Sequence, residues 1–102
     1  MSQKMVYKPI TTTGGTFSIT VTQTATALTV PTDASRLVYQ VETADIRVSY
    51  NGVAPVAGVG GGFLQTTNAD YSVDGWDSLN GMRVIRETST SARMTGQFFT
   101  KE

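Results

Sequence analysis

The chain has 102 residues, enough for one domain and too few for two comfortable ones. Eight lysines and arginines balance eight aspartates and glutamates, and neither histidine nor cysteine occurs. Those zeros exclude thiol nucleophiles, Cys/His zinc sites, Ser-His-Asp triads and haem ligation through His or Cys, and zero net charge argues against a general nucleic-acid binder.

Residues 3–10 (QKMVYKPI) read as a short extended segment ended by Pro9, and TTTGGT at 11–16 reads as a linker. Residues 1–16 are therefore expected to form an N-terminal arm, with 4–10 able to reach a neighbouring molecule by strand addition. A frayed terminus is the simpler alternative. From Phe17 the pattern changes. Phe17, Ile19 and Val21 alternate with Ser18, Thr20 and Thr22, the signature of a half-buried strand. Leu28 and Val30 suggest a second strand stopped by Pro31, and PTDAS at 31–35 is turn chemistry.

RLVYQVET at 36–43 places Leu37, Tyr39 and Val41 on one face, and DIRVSY at 45–50 does the same with Ile46, Val48 and Tyr50. Asn51-Gly52 suits a type I′ hairpin. Four glycines and a proline within 53–62 exclude a regular inner strand there. Residues 63–66 predict a short strand, 68–70 a turn, and Tyr71 and Val73 a strand ended by Asp74-Gly75. Residues 76–80 predict one helical turn closed by Gly81. MRVIRE at 82–87 and ARMTGQFFT at 92–100 predict two closing strands. In the last of these, Met94 and Phe98 share one face and Phe99 the other, so one ring enters the core and its neighbour faces out.

The fold class expected is all-β: a single β-sandwich or jelly-roll-like domain of about eight short strands. It occupies residues 17–102 and follows the extended arm.

Few constellations carry chemistry. GVGGGF at 58–63 has phenylalanine where the dinucleotide fingerprint needs its last glycine, and no nearby lysine serves a Walker motif. It reads as a flexible loop or a close backbone contact. Asp70, Asp74 and Asp77 are the one acidic cluster; their spacing does not fit an EF-hand, and turns or a cap by Asp77 before Ser78 explain them more simply than calcium. Glu42, Asp45 and Glu87 are the carboxylates available for glycoside hydrolysis, which needs a cleft that a chain this small has little room for. Arg47, Arg83, Arg86 and Arg93 are expected to pair with acids on strand surfaces at small gain. Trp76 with Tyr71 and Tyr50 could form a sugar-stacking platform, although a tryptophan that plugs the core or an interface is the preferred reading. No catalytic, cofactor or metal site is expected.

Seventeen threonines and eight serines, with only 16% charged residues, make a surface poorly protected against self-association. Part of it is expected to lie under a partner. The interface candidates are Val6, Tyr7, Ile10, Trp76 and Phe99. No apolar run approaches the ~18 residues of a membrane span, and the first residues lack the apolar stretch of a secretory signal. Absence of cysteine fits a reducing compartment.

The stretch from Ala27 to Phe99 resembles a group of small tailed-bacteriophage virion proteins. The likeness lies in LTVP at 28–31, RLVYQVET at 36–43, DIRVSY at 45–50, NGVAP at 51–55, the glycine-rich 58–62, MRVIR at 82–86 and QFF at 97–99. The chain departs from the group's pattern in having Asn-Gly in place of Asp-Gly and extra glycines in the loop. These motifs are structural, without a catalytic signature. The resemblance implies a non-enzymatic virion component, assembled in a host cytoplasm. A capsid decoration (cement) protein is the first expectation; a neck, tail or fibre part is the second. Implied partners are the major capsid protein or other virion proteins and further copies of the chain, a trimer being one arrangement. No nucleic acid, membrane or small-molecule substrate is expected. A carbohydrate-binding module using Trp76 and the tyrosines is the reading from another class.

Overall fold

A computed structural model describes residues 6–12, 14–57 and 62–101. Among these, nine strands and one short helix occur in the order β1 (Tyr7–Pro9), β2 (Thr16–Val21), β3 (Thr26–Ala27), β4 (Arg36–Glu42), β5 (Ile46–Ser49), β6 (Phe63–Gln65), β7 (Asp70–Asp74), α1 (Trp76–Gly81), β8 (Arg83–Arg86) and β9 (Ala92–Lys101). They form two antiparallel sheets, an all-β sandwich as expected. Sheet A runs β1-β9-β4-β7, with β2 also on β9. Sheet B runs β3-β8-β5-β6.

The period-two pattern decides which side chains lie between the sheets. Leu37, Tyr39 and Val41 of β4, Met94 and Phe98 of β9 and Val73 of β7 face Ile46 and Val48 of β5 and Val84 of β8, all buried. Phe17 packs its ring 5.4 Å from that of Phe98. Gly96 makes this possible: a Cβ there would stand 2.8 Å from Phe17 Cε1 and 2.7 Å from the Val38 carbonyl oxygen. The last strand splits its two phenylalanines as expected, with Phe98 in the core and Phe99 on the outer face.

Part of the segment expected to be an arm is a sandwich strand. β1 and β2 lie one after the other along the same edge of β9, Pro9 opposite Phe99 and Thr16 opposite Gln97. Between them the chain leaves the sheet and returns around Phe98. The Ile10 N–H donates to the Phe98 carbonyl, and the Phe98 N–H donates to the Gly15 carbonyl. The Gln97 side-chain amide closes the base, donating to the carbonyls of Ile10 and Gly15. Gly15 is required there because a Cβ would fall on the Ile10 carbonyl. β1 ends at Pro9 as expected; because residue 10 still bonds to β9, the nitrogen of residue 9 points away from it, where a missing N–H costs nothing. Residues 1–5 lie outside the described part.

Three further expectations shift. The second strand is Thr26–Ala27, not 28–30; Leu28 and Val30 still pack on the core, but outside the ladder. Asn51-Gly52 does not close a tight hairpin. Gly52 has φ +79°, yet its N–H bonds to the Gly81 carbonyl, docking the long β5–β6 connection on α1. The helical turn sits where expected, but its N-cap is Gly75 and no side chain caps it; Asp77 lies in the first turn.

Candidate functional site

The registers lay out the outer face of sheet A as rows. Pro9, Phe99, Arg36 and Asp74 form one row across four strands. Thr16, Gln97, Val38 and Ser72 form the next, then Ser18, Thr95, Gln40 and Asp70. This face carries hydroxyl and amide groups together with the charges of Arg36, Asp70 and Asp74, and of Arg93 with Glu42 in the row beyond. Its one apolar island lies at the row of Phe99, where Tyr7, Arg36, Val38 and Phe99 line an open hollow of about 150 Å³. A second, of about 350 Å³, continues from Phe99 over Gly96 and Thr95 to Gln40 and Asp70.

Arg36 organises the island. Its guanidinium carbon stands 5.1 Å from the centre of the Tyr7 ring, a cation–π contact of about 0.5–1 kcal/mol at a site this open. Its Nε lies 3.4 Å from Asp74 Oδ1 but is not aligned for a hydrogen bond. With both side chains substantially exposed, that pair contributes little. The Tyr7 ring, which lines the hollow with Phe99, is therefore the arginine's main contact here.

The structure brings two of the five interface candidates together, Tyr7 and Phe99. Val6 is exposed beside Tyr7. Trp76 opens α1 two residues beyond Asp74, at the same end of the sandwich, and is 44% exposed, so it does not plug the core of this chain. Ile10 is a correction. It is buried in the core and hydrogen-bonded to Phe98, so it has no surface to offer a partner. Arg36 and Val38 complete the island and were not singled out in advance. Val38 carried a signal: it is apolar on the outward parity of β4, between inward Leu37 and Tyr39.

The other chemistry-bearing groups are dispersed. Asp70 and Asp74 stand at opposite ends of β7, the first accepting from Gln40 Nε2 at 2.7 Å and the second beside Arg36. Among the described residues no three His, Cys, Asp or Glu side chains gather as a metal site would require. The sugar platform does not form, because Tyr71 stacks on Tyr39 with ring centres 5.5 Å apart and Tyr50 leans on Phe63. Of the carboxylates considered for hydrolysis, Asp45 accepts from the Thr67 N–H and Glu87 is held in two hydrogen bonds by Arg47. That arginine pair is mostly buried, not a loose surface contact. Arg83 turns to the carbonyls of Asn80 and Met82, and Arg86 to Gln23. Glu42 lines an open polar cleft of about 580 Å³ with Thr43, Asn68 and Asp70 at the far end of the sandwich. The glycine-rich segment 58–61 lies outside the described residues.

Among the described residues one polar chain runs between the sheets. The Tyr39 hydroxyl donates to Gln65 Oε1, and Gln65 Nε2 donates to the Tyr50 hydroxyl at 3.2 Å. Burial holds the Tyr39 hydroxyl far above the usual tyrosine range, with the neighbouring Tyr50 adding to the shift. A phenol so held is a structural donor, not a proton shuttle at neutral pH.

No family model, curated protein or solved structure matches the chain.

Proposed function

We propose that this chain is a non-catalytic structural subunit of a phage virion, a decoration protein whose outer sheet-A face binds the assembled head. The observation that carries the reading is the apolar island of Tyr7, Val38 and Phe99, set on the outer face of sheet A among hydroxyl, amide and charged side chains. Such a surface suits contact with another protein: an aromatic anchor at the centre and hydrogen-bonding side chains around it. A protein that binds the assembled shell better than its loose precursor stabilises the shell by linkage. Many copies, themselves associating, supply avidity that lets each weak interface persist. The major capsid protein is the partner this reading names.

Immunogold electron microscopy of virus particles from the source of the chain tests it. Label over the whole head supports decoration, and Phe99→Ser then removes the label when variant protein is added to undecorated heads. Label at one vertex or on the tail moves the protein to the neck, tail or fibre. Absence of label from accessible particles overturns the virion reading. The exposed Trp76 favours the second reading, a carbohydrate-binding module, and glycan-induced quenching of its fluorescence would support that instead.

A further inference from the structure

We infer that two copies of this chain join edge to edge through β2, about a two-fold axis at Ser18. The inference gives the self-association in the reading above its surface, and it needs only the geometry of β2, not the virion.

A sandwich has four sheet edges, and three of these are blunted. β3 has two residues and β6 three, too short to template a neighbour. β7 begins and ends in aspartate, so a second β7 paired in register would set Asp70 opposite Asp74 of its copy, like charge against like. β2 has no such device. It is six residues long, TFSITV, without proline, glycine or charge. No ionisable side chain occurs anywhere between Lys8 and Asp33.

The backbone of β2 is set to accept a partner. The Phe98 N–H donates to the Gly15 carbonyl. Antiparallel pairs alternate between hydrogen-bonded and open, so residues 15, 17, 19 and 21 direct their backbone groups at β9. Thr16, Ser18 and Thr20 direct theirs away, and among the described residues nothing pairs with them. The side chains match the same register. Read about Ser18, the segment TFSIT is nearly its own mirror: Thr16 meets Thr20 of the copy, Phe17 meets Ile19, and Ser18 meets Ser18.

All three outward-facing residues then fall on hydrogen-bonded pairs, giving roughly six backbone hydrogen bonds. Phe17 and Ile19 are only partly buried at the rim of the core, and each is covered by the other's counterpart. The outer row of Arg93 and Thr20 continues into Thr16 and Gln97 of the copy, so threonine faces threonine across the seam and no like charge stands in that row. Sheet A becomes one sheet across both copies. The contact is isologous and closes at two, which a three-fold ring through this edge would not do. Its area is that of one short strand pair, small beside a standard interface, so the dimer is weak.

The test uses the absence of cysteine. Ser18→Cys places the chain's single thiol opposite its own copy, at about 5.5 Å between Cα atoms, inside the range a disulfide spans. Under mild oxidation it is expected to give a disulfide dimer at least ten times faster than Thr20→Cys, whose counterpart is Thr16. Sedimentation equilibrium of the parent chain is expected to show a monomer–dimer equilibrium. Ser18→Lys, which faces solvent in the monomer, is expected to weaken that equilibrium at least ten-fold with the thermal transition unchanged. A chain monomeric at millimolar concentration, a trimer, equal cross-linking of the two cysteine variants, or undiminished association of Ser18→Lys would each overturn the inference. Shell binding is a separate readout, so loss of one proposal is distinguishable from loss of the other.

Discussion

The Tyr39 hydroxyl and the Gln65 side-chain amide join the two sheets through a hydrogen bond buried in the sandwich. Few contacts between the layers are directional; the remainder of the core is apolar packing. Tyr39→Phe keeps the ring and its stack on Tyr71 but leaves Gln65 Oε1 without its donor. The expected loss is about 1–3 kcal/mol, the cost of an unsatisfied buried polar group, measured by urea denaturation at neutral pH. An unchanged midpoint would mean that Gln65 finds another donor.

The same hydroxyl makes stability depend on alkaline pH. Burial raises its pKa in the folded chain above the ordinary value of 10.0. A group raised on folding contributes stability that is fully present below the unfolded pKa. That stability is lost as pH climbs from there towards the folded value. The fold is therefore expected to weaken progressively above about pH 10. Ultraviolet titration should find the Tyr39 hydroxyl ionising only with unfolding, and Tyr39→Phe should remove that step.

Arg47 and Glu87 form the second directional link, within sheet B. Nε to Oε1 is 3.2 Å and Nη2 to Oε2 is 2.9 Å, and the side chains are only 16% and 13% exposed. Glu87→Gln strands a buried guanidinium and is expected to cost on the order of 3 kcal/mol in thermal or chemical unfolding. The paired replacement Arg47→Met with Glu87→Leu should recover most of that loss, because the desolvation penalty of both charges disappears. A double variant as unstable as the single one would show that Arg47 matters more through its bond to the Gly62 carbonyl.

What was legible in the chain was local and periodic. The alternations at Phe17-Ile19-Val21, Leu37-Tyr39-Val41 and Ile46-Val48 depend only on the pleat, and so does the opposite fate of Phe98 and Phe99. What was not legible depended on partners distant in sequence. The segment up to Pro9 reads as an arm until β9 lies beside it. The return of the chain at Gly15 requires Phe98 and Gln97, more than eighty residues away. Leu28 and Val30 look like a strand because they are apolar, yet the ladder with β8 has already ended at Ala27. The apolar island was half visible: Tyr7 and Phe99 stood out as aromatics, while Arg36 and Val38 needed the rows of the sheet to place them.

The clip at the base of β1 yields a graded prediction. Gln97→Ala removes the donor shared by the Ile10 and Gly15 carbonyls and should cost about 1–2 kcal/mol. Gly15→Ala drives a methyl onto the Ile10 carbonyl and should release β1 altogether. Hydrogen exchange separates the two. The Ile10 and Phe98 amides should exchange somewhat faster in Gln97→Ala, and in Gly15→Ala the Ile10 amide should lose protection while the β4 amides retain theirs. Uniform loss across β4 as well would mean that β1 is needed for the whole sandwich.

The two adjacent phenylalanines give the sharpest separation of folding from contact. Phe98 is fully buried against Phe17, and its truncation to alanine leaves a cavity expected to cost about 3–5 kcal/mol. Phe99 is one residue away on the outer face, beside Tyr7 and Val38. Phe99→Ser removes apolar surface that is only partly covered in the free chain, so its cost should stay below about 1 kcal/mol. If the outer face is where this protein meets its partner, Phe99→Ser should lose binding while its unfolding curve overlays that of the parent. Phe98→Ala should lose binding only in proportion to the unfolded fraction. Measuring both variants by unfolding and by binding to assembled heads distinguishes these cases, and full binding by Phe99→Ser would remove the island from the interface.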